Sequence, residues 1–226
     1  MRNPLARYLA RAREMQFHYL LASLILLLAV YPYAGAGPTG TVALKVLSSF
    51  ILITGVYAVS NRRRQVVIAA LLAVPAFGLG WLHVVTGNPV IGTAESVFTL
   101  LFYAFTALFG LFRVLGERRV TTDTIYGAVS VYLLMGLTWA TAYGLVESIS
   151  PGSFSAGPGG GAFTFPTSIY YSFVTLATLG YGDITPITDQ ARSLAVLETV
   201  SGTIYIAVLI ARLVAAAGWR PATDRE

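Results

Sequence analysis

The stretch Thr175–Pro186 reads Thr-Leu-Ala-Thr-Leu-Gly-Tyr-Gly-Asp-Ile-Thr-Pro, and nothing else in the 226-residue chain is as specific. Gly180 and Gly182 flank Tyr181, with Thr178 and Leu179 before and Asp183 after. Glycine tolerates φ > 0, so a strand with glycine at alternating positions can turn its carbonyls to one side. Several such strands around one axis would enclose a tube of oxygens able to replace the water shell of a small monovalent cation. Gly-Tyr-Gly-Asp also fits a β-turn of a soluble protein. The surrounding chain separates the two readings, because a tube of oxygens that strips a cation of its water belongs in an apolar, membrane setting.

The setting is apolar. Hydrophobic residues make up 56% of the chain and charged residues 11%, against roughly 25% charged in an ordinary soluble domain. The mean hydropathy is +0.70. The composition is that of an integral membrane protein. The net charge of +5 could suggest nucleic acid, but the basic residues are placed as membrane-orienting charges, so no nucleic-acid partner is expected. There is no cysteine, which removes disulfides, thiolate metal sites and a cysteine nucleophile.

Six apolar segments are expected to span: about 17–33, 41–60, 66–85, 91–112, 122–146 and 189–216. Each approaches or exceeds the roughly 20 residues needed to cross the hydrocarbon core. The first, between a basic start and Ala34-Gly35-Ala36, shares its pattern with a cleaved signal peptide and is taken as a span. Turn formers Gly35-Ala36-Gly37-Pro38 and Thr86-Gly87-Asn88-Pro89 separate the outer ends. With the N-terminus inside, the basic clusters Arg62-Arg63-Arg64 and 113–119 both fall inside, as do Arg212, Arg220 and Arg225. Of 15 Lys and Arg, only Lys45 and Arg192 fall toward the outer side. Hydropathy and charge thus agree on a multi-pass protein with both termini cytoplasmic. Residues 1–16, with Arg2, Arg7, Arg11 and Arg13 against Glu14, read as an interfacial cytoplasmic segment.

Residues 147–165 are rich in Gly and Ser and are expected to form a mobile outer loop. Its Gly-Pro-Gly-Gly-Gly run lacks the Lys-Ser/Thr of a phosphate-binding loop. Pro166–Ala177 is the next expected helix, with proline at its start. At about 12 residues it is too short to span, so it dips in and the Thr178–Asp183 stretch returns outward. Non-helical backbone at that depth is tolerated only where protein or water surrounds it. The partial negative end of the short helix would favour a cation.

From about residue 120 to 216 the chain resembles the pore unit of tetrameric potassium channels: outer helix, pore helix, filter and inner helix. The filter consensus T-V-G-Y-G-D stands here as Thr178-Leu179-Gly180-Tyr181-Gly182-Asp183. The resemblance implies an all-α membrane fold of six transmembrane helices plus a re-entrant pore helix and filter, assembled as a homotetramer. It divides the chain into residues 1–16, a cytoplasmic basic segment; 17–119, a four-helix bundle; 120–216, the pore domain; and 217–226, a cytoplasmic tail. It implies that the carbonyls of Thr178, Leu179, Gly180 and Tyr181, with the Thr178 hydroxyl, would coordinate dehydrated K⁺, and that Gly182 completes the filter. Tyr170, Tyr171 and Tyr181 would brace the filter as an aromatic cuff, unless Tyr170 or Tyr171 is an interfacial anchor. Asp183 would sit at the outer mouth, bonded to the pore helix or concentrating cations. Gly202 takes the position of an inner-helix hinge, or serves as a small residue for close packing. Thr203, Ile206, Ile210 and Val214 would line the cavity and lower pore. K⁺ is the permeant ion; no cofactor is implied, and the partners are further copies of the chain and membrane lipid in the plasma membrane.

The chain departs from the family at Leu179, Ala177 and Val174, where many members have Val, Thr and, in some, an acidic residue. The larger departure is upstream. A voltage sensor needs several Arg or Lys along its fourth helix, each gaining roughly 2.3 kcal/mol per 100 mV. Residues 91–112 hold only Glu95, with Arg113 at the inner boundary, so voltage gating is not expected. Residues 113–119 read as a loose amphipathic stretch. Lys45 and Glu95 match in depth and either pair, with His83 as a third member, or snorkel outward. Glu198, one turn before Gly202, either bonds to the pore helix behind the filter, titrates in gating, or is structural. No soluble gating domain is expected beyond the last span. A non-selective, sodium or calcium channel would lack Tyr181. A related transporter would carry several degraded filters, and an enzyme would need a catalytic constellation that the two histidines do not supply. A non-conducting regulatory subunit stays open.

Overall fold

The computed structural model describes residues 16–34, 37–60, 62–117, 121–156 and 161–218. The basic N-terminal cluster from Arg2 to Glu14, Gly35, Ala36, Asn61, Arg118, Arg119, the Gly157–Gly160 run, Arg220 and Arg225 lie outside the described residues. The helices are α1 (Gln16–Val30, continued by a 3₁₀ turn Tyr31–Tyr33), α2 (Pro38–Ala58), α3 (Arg63–Thr86), α4 (Pro89–Gly116), α5 (Thr122–Ile149), α6 (Phe165–Leu176) and α7 (Asp189–Gly218). Among the described residues, all but α6 are long and apolar enough to cross a membrane, giving six candidate spans. The fold is therefore that of an all-α, multi-pass membrane protein.

Local chemistry sets the boundaries. At the α3–α4 turn, Gly87 takes a left-handed φ of 64° and the Asn88 side chain accepts from the Val90 amide at 2.9 Å, capping α4. Thr121 and Thr124 form a reciprocal capping box at the start of α5. Pro166 sits in the first turn of α6, where its missing N–H costs nothing.

α5 is the spine. α1 and α4 both pack along it, α3 packs on α4, and α6 and α7 pack on α5 as well. Leu20, Leu24, Ile51, Phe102, Leu134 and Ile169 belong to one buried cluster, so the upstream bundle and the pore helix share a core within the same chain. Polar ties reinforce this packing, as they must where lipid supplies no hydrophobic drive between helices. At the inner end, Arg113 donates to Gln16 Oε1 (2.6 Å) and the Ala58 carbonyl (3.3 Å). It pairs with Asp123 (3.4 Å) and lies 4.9 Å over the Phe17 ring. Arg113 thus joins α1, α2, α4 and α5. The expected loose stretch at 113–119 is, over its described residues, a tied one: Glu117 accepts from Thr124 through its carboxylate (3.0 Å) and from Arg212 through its carbonyl (2.5 Å).

The outer connection also departs from expectation. Instead of a mobile loop throughout, residues 150–156 are pinned. Phe154–Ser155 (β1) pairs antiparallel with Thr185–Pro186 (β2). The Glu147 carboxylate accepts from the amides of Gly152 (2.8 Å) and Phe154 (3.2 Å). Phe154 is buried against Tyr143, Tyr171 and Phe163. The aromatic anchors within the Gly/Ser-rich run carry the order that composition hides.

Candidate ion-conduction site

α6 is 12 residues long, about 18 Å at the helical rise, and ends inside the fold. Its last turn seats the stretch that follows. The Leu179 and Gly180 amides donate to the Val174 carbonyl (2.9 and 3.4 Å), and Thr178 donates to Thr175 (2.9 Å). Beyond it the backbone alternates: Thr178, Gly180 and Gly182 have φ of 59°, 57° and 78°, with Leu179 and Tyr181 between them outside that region. Alternation of hand is what turns successive carbonyls toward one side. Among the described residues no carbonyl from 178 to 182 accepts a backbone hydrogen bond, so these oxygens remain available as ligands.

The glycine spacing foretells two of the three left-handed positions. Thr178 is the third. A β-branched residue there costs of the order of 1–3 kcal/mol, and no residue-type signal announces it. Only its place two before Gly180 does.

Asp183 accepts from the Tyr170 hydroxyl at 2.8 Å, joining the mouth of the stretch to α6. That carboxylate contact pushes the Tyr170 hydroxyl up to about 12. Tyr181 lies close enough to Tyr170 to act on it electrostatically, and the residue is 66% exposed in the single chain. Tyr171 instead sits among Tyr143, Phe154 and Phe163 at 5.0, 5.4 and 6.4 Å. Within one chain, therefore, Tyr170 and Tyr181 face the filter side, whereas Tyr171 belongs to the packing behind it.

Behind α6 runs the inner helix. A Cβ on Gly202 would meet the Leu176 carbonyl oxygen at 2.7 Å, so α7 presses on the end of α6 at a point only glycine allows. α7 is continuous through Gly202. Gly136 of α5 similarly receives the Phe173 ring, 2.5 Å from where its Cβ would stand. One turn above Gly202, Glu198 is fully buried. Its Oε1 lies 2.5 Å from the Ser172 Oγ of α6, and its Oε2 accepts from the Tyr143 hydroxyl of α5. Glu198 therefore bonds the pore helix. Thr203, Ile206, Ile210 and Val214 are all exposed along α7 in the single chain.

Lys45 and Glu95 pair at 3.0 Å, Thr99 also donates to Glu95 (3.2 Å), and Gly80 leaves room for the Lys45 stem. His83 goes elsewhere, with Nδ1 2.8 Å from the Asn88 carbonyl.

A family model described as an ion channel matches residues 121–217. The protein LctB of Bacillus caldotenax is 32% identical over 106 residues, covering 45% of this chain and 78% of that protein. LctB of Geobacillus stearothermophilus is 30% identical over 105 residues with the same coverage. The two pore potassium channel c of Oryza sativa subsp. japonica is 37% identical over 87 residues, 37% of this chain and 16% of that protein. The chain belongs to the potassium-channel superfamily. No solved structure matches it significantly. The matched residues run from the start of α5 to the end of α7 and enclose the site described above, so this ion channel keeps its family signature in the pore unit.

Proposed function

We propose that four copies of this chain form a potassium-selective channel of the plasma membrane, with both termini cytoplasmic. K⁺ passes dehydrated through a ring of carbonyls from Thr178, Leu179, Gly180 and Tyr181, with the Thr178 hydroxyl at its inner end. The observation that carries this reading is the alternating left-handed backbone at 178, 180 and 182, whose carbonyls accept no backbone hydrogen bond among the described residues. Fourfold assembly is supported by the exposure of Leu179 (57%) and of the apolar α7 face in one chain. A single strand cannot surround an ion.

In this reading residues 17–119 are a bundle that supports the pore domain at 120–216 without sensing voltage. α4 carries only Glu95 and Arg113, the first paired with Lys45 and the second tied at the inner boundary. Thr203, Ile206, Ile210 and Val214 line the inner cavity, and Gly202 is where α7 bends if the inner helix opens. The test is ion flux from liposomes containing the purified protein, comparing K⁺ with Na⁺ and using Ba²⁺ as blocker. Ba²⁺-sensitive K⁺ flux far above Na⁺ flux is expected. Equal fluxes of the two ions, or none under any condition, overturn the proposal.

A further inference from the structure

Two oxygen–oxygen contacts meet at Glu198, and a third continues from one of its partners. Tyr143 Oη touches Oε2, Ser172 Oγ lies 2.5 Å from Oε1, and the same Ser172 Oγ lies 2.7 Å from the Gly136 carbonyl. Each contact needs a proton between its oxygens. Tyr143 and Ser172 bring one hydroxyl proton each, and the Gly136 carbonyl brings none. The third can come only from the Glu198 carboxyl. With it the network closes: Tyr143 donates to Oε2, Oε1–H donates to Ser172 Oγ, and Ser172 donates to the Gly136 carbonyl.

Charge leads to the same assignment. Glu198, Ser172 and Tyr143 are each fully buried, and an ionised carboxylate away from water and without a cation is costly. The titratable groups facing Glu198 are tyrosines: Tyr143 and Tyr132 from α5 and Tyr171 from α6. Among the described residues, no Lys, Arg or His pairs with it.

We propose that Glu198 is a neutral carboxylic acid whose proton fastens the outer, pore and inner helices together directly behind the filter. It is a positioning residue, acting through the pore helix. Ser172 stands two residues before Val174, whose carbonyl seats the Leu179 and Gly180 amides. One turn below, Gly202 bears on Leu176. Removing the proton sets Ser172 between two acceptors with one proton to share. The pore helix then loses a tie to either α5 or α7, and the filter loses its seating. Conduction therefore falls as pH rises, through a group that is neither in the pore nor in a cytoplasmic domain. The conduction part rests on the potassium-channel reading; the protonation part does not.

The test uses full-length protein in liposomes, with Glu198→Gln as the permanent mimic of the neutral acid. Infrared spectra at neutral pH are expected to show a protonated-carboxyl C=O band that Glu198→Gln removes. Potassium flux of the wild type is expected to be lost reversibly on alkalinisation, whereas Glu198→Gln retains neutral-pH flux without that loss. Absence of a band difference overturns the inference, as does a Glu198→Gln profile that follows the wild type. The spectrum is read without conduction. A protein carrying the band but no K⁺ flux contradicts the potassium reading, while K⁺ flux without the band contradicts this inference alone.

Discussion

Thr178 shows how a single residue can carry cost and function together. Its φ of 59° places a branched side chain where glycine is at home, and the pore-helix carbonyls behind it hold it there. Such strain persists only where the surroundings over-determine it. The Tyr170–Asp183 bond is the complementary case, an exposed contact that raises the tyrosine's pKa. Tyrosine ordinarily titrates near 10, and the carboxylate contact raises Tyr170 to about 12. A raised value means that the bond's contribution is fully present below the unfolded value and is lost only as pH climbs through the folded one. Tyr170→Phe should therefore weaken the outer mouth, seen as a loss of Ba²⁺ affinity or of K⁺ preference, while leaving the pH profile of flux below pH about 10 unchanged. A shifted profile would mean that Tyr170 takes part in the titration.

At the scale of elements, two contacts decide how the helices are held. Gly202 lets α7 touch the end of α6, and a methyl group there meets backbone oxygen at 2.7 Å, which cannot swing aside. Gly202→Ala is expected to destabilise the folded protein by about 1–3 kcal/mol, read as a lowered thermal midpoint in detergent with helix content preserved. An unchanged midpoint would mean that α7 stands off from α6 in the folded protein. The Lys45–Glu95 pair links α2 to α4, with side chains 18% and 16% exposed. Lys45→Met and Glu95→Gln should each destabilise, and the double variant should recover a coupling of about 0.5–3 kcal/mol. Strict additivity would show that each group reaches the interface independently. The sequence displayed most of this level. Six apolar runs, a short helix opened by Pro166, and matched depths for Lys45 and Glu95 are all visible in residue order. It did not display the pinning of residues 150–156, because Phe154 and Phe163 stand in a run whose glycines and serines dominate the composition. Nor did it display the Arg113 hub. Asp123 and Gln16 look like ordinary helix-start polar residues until the fold brings them to one guanidinium.

For the whole molecule, the bundle and the pore unit share one core, and the inner ends are tied through Arg113, Asp123, Glu117 and Arg212. The lone arginine of α4 is thus spent on structure. Moving charge through the membrane field supplies roughly 2.3 kcal/mol per unit charge per 100 mV, and this helix has no free charges to move. Macroscopic currents should show no steep activation with voltage; a steep conductance–voltage curve abolished by Arg113→Gln would reassign that residue as a sensor. Residue order offered a bond from Glu198 to the pore helix as one reading, but not its partners, since Tyr143, Ser172 and Gly136 are separated from it by up to 62 positions and meet only when α5, α6 and α7 pack. The most direct measurement of the central claim is the reversal potential of currents in planar bilayers with K⁺ on one side and Na⁺ on the other. A reversal potential displaced far toward the K⁺ equilibrium value is expected, and it should collapse toward zero in Tyr181→Asp. A wild-type reversal potential near zero would contradict potassium selection by the Thr178–Gly182 backbone.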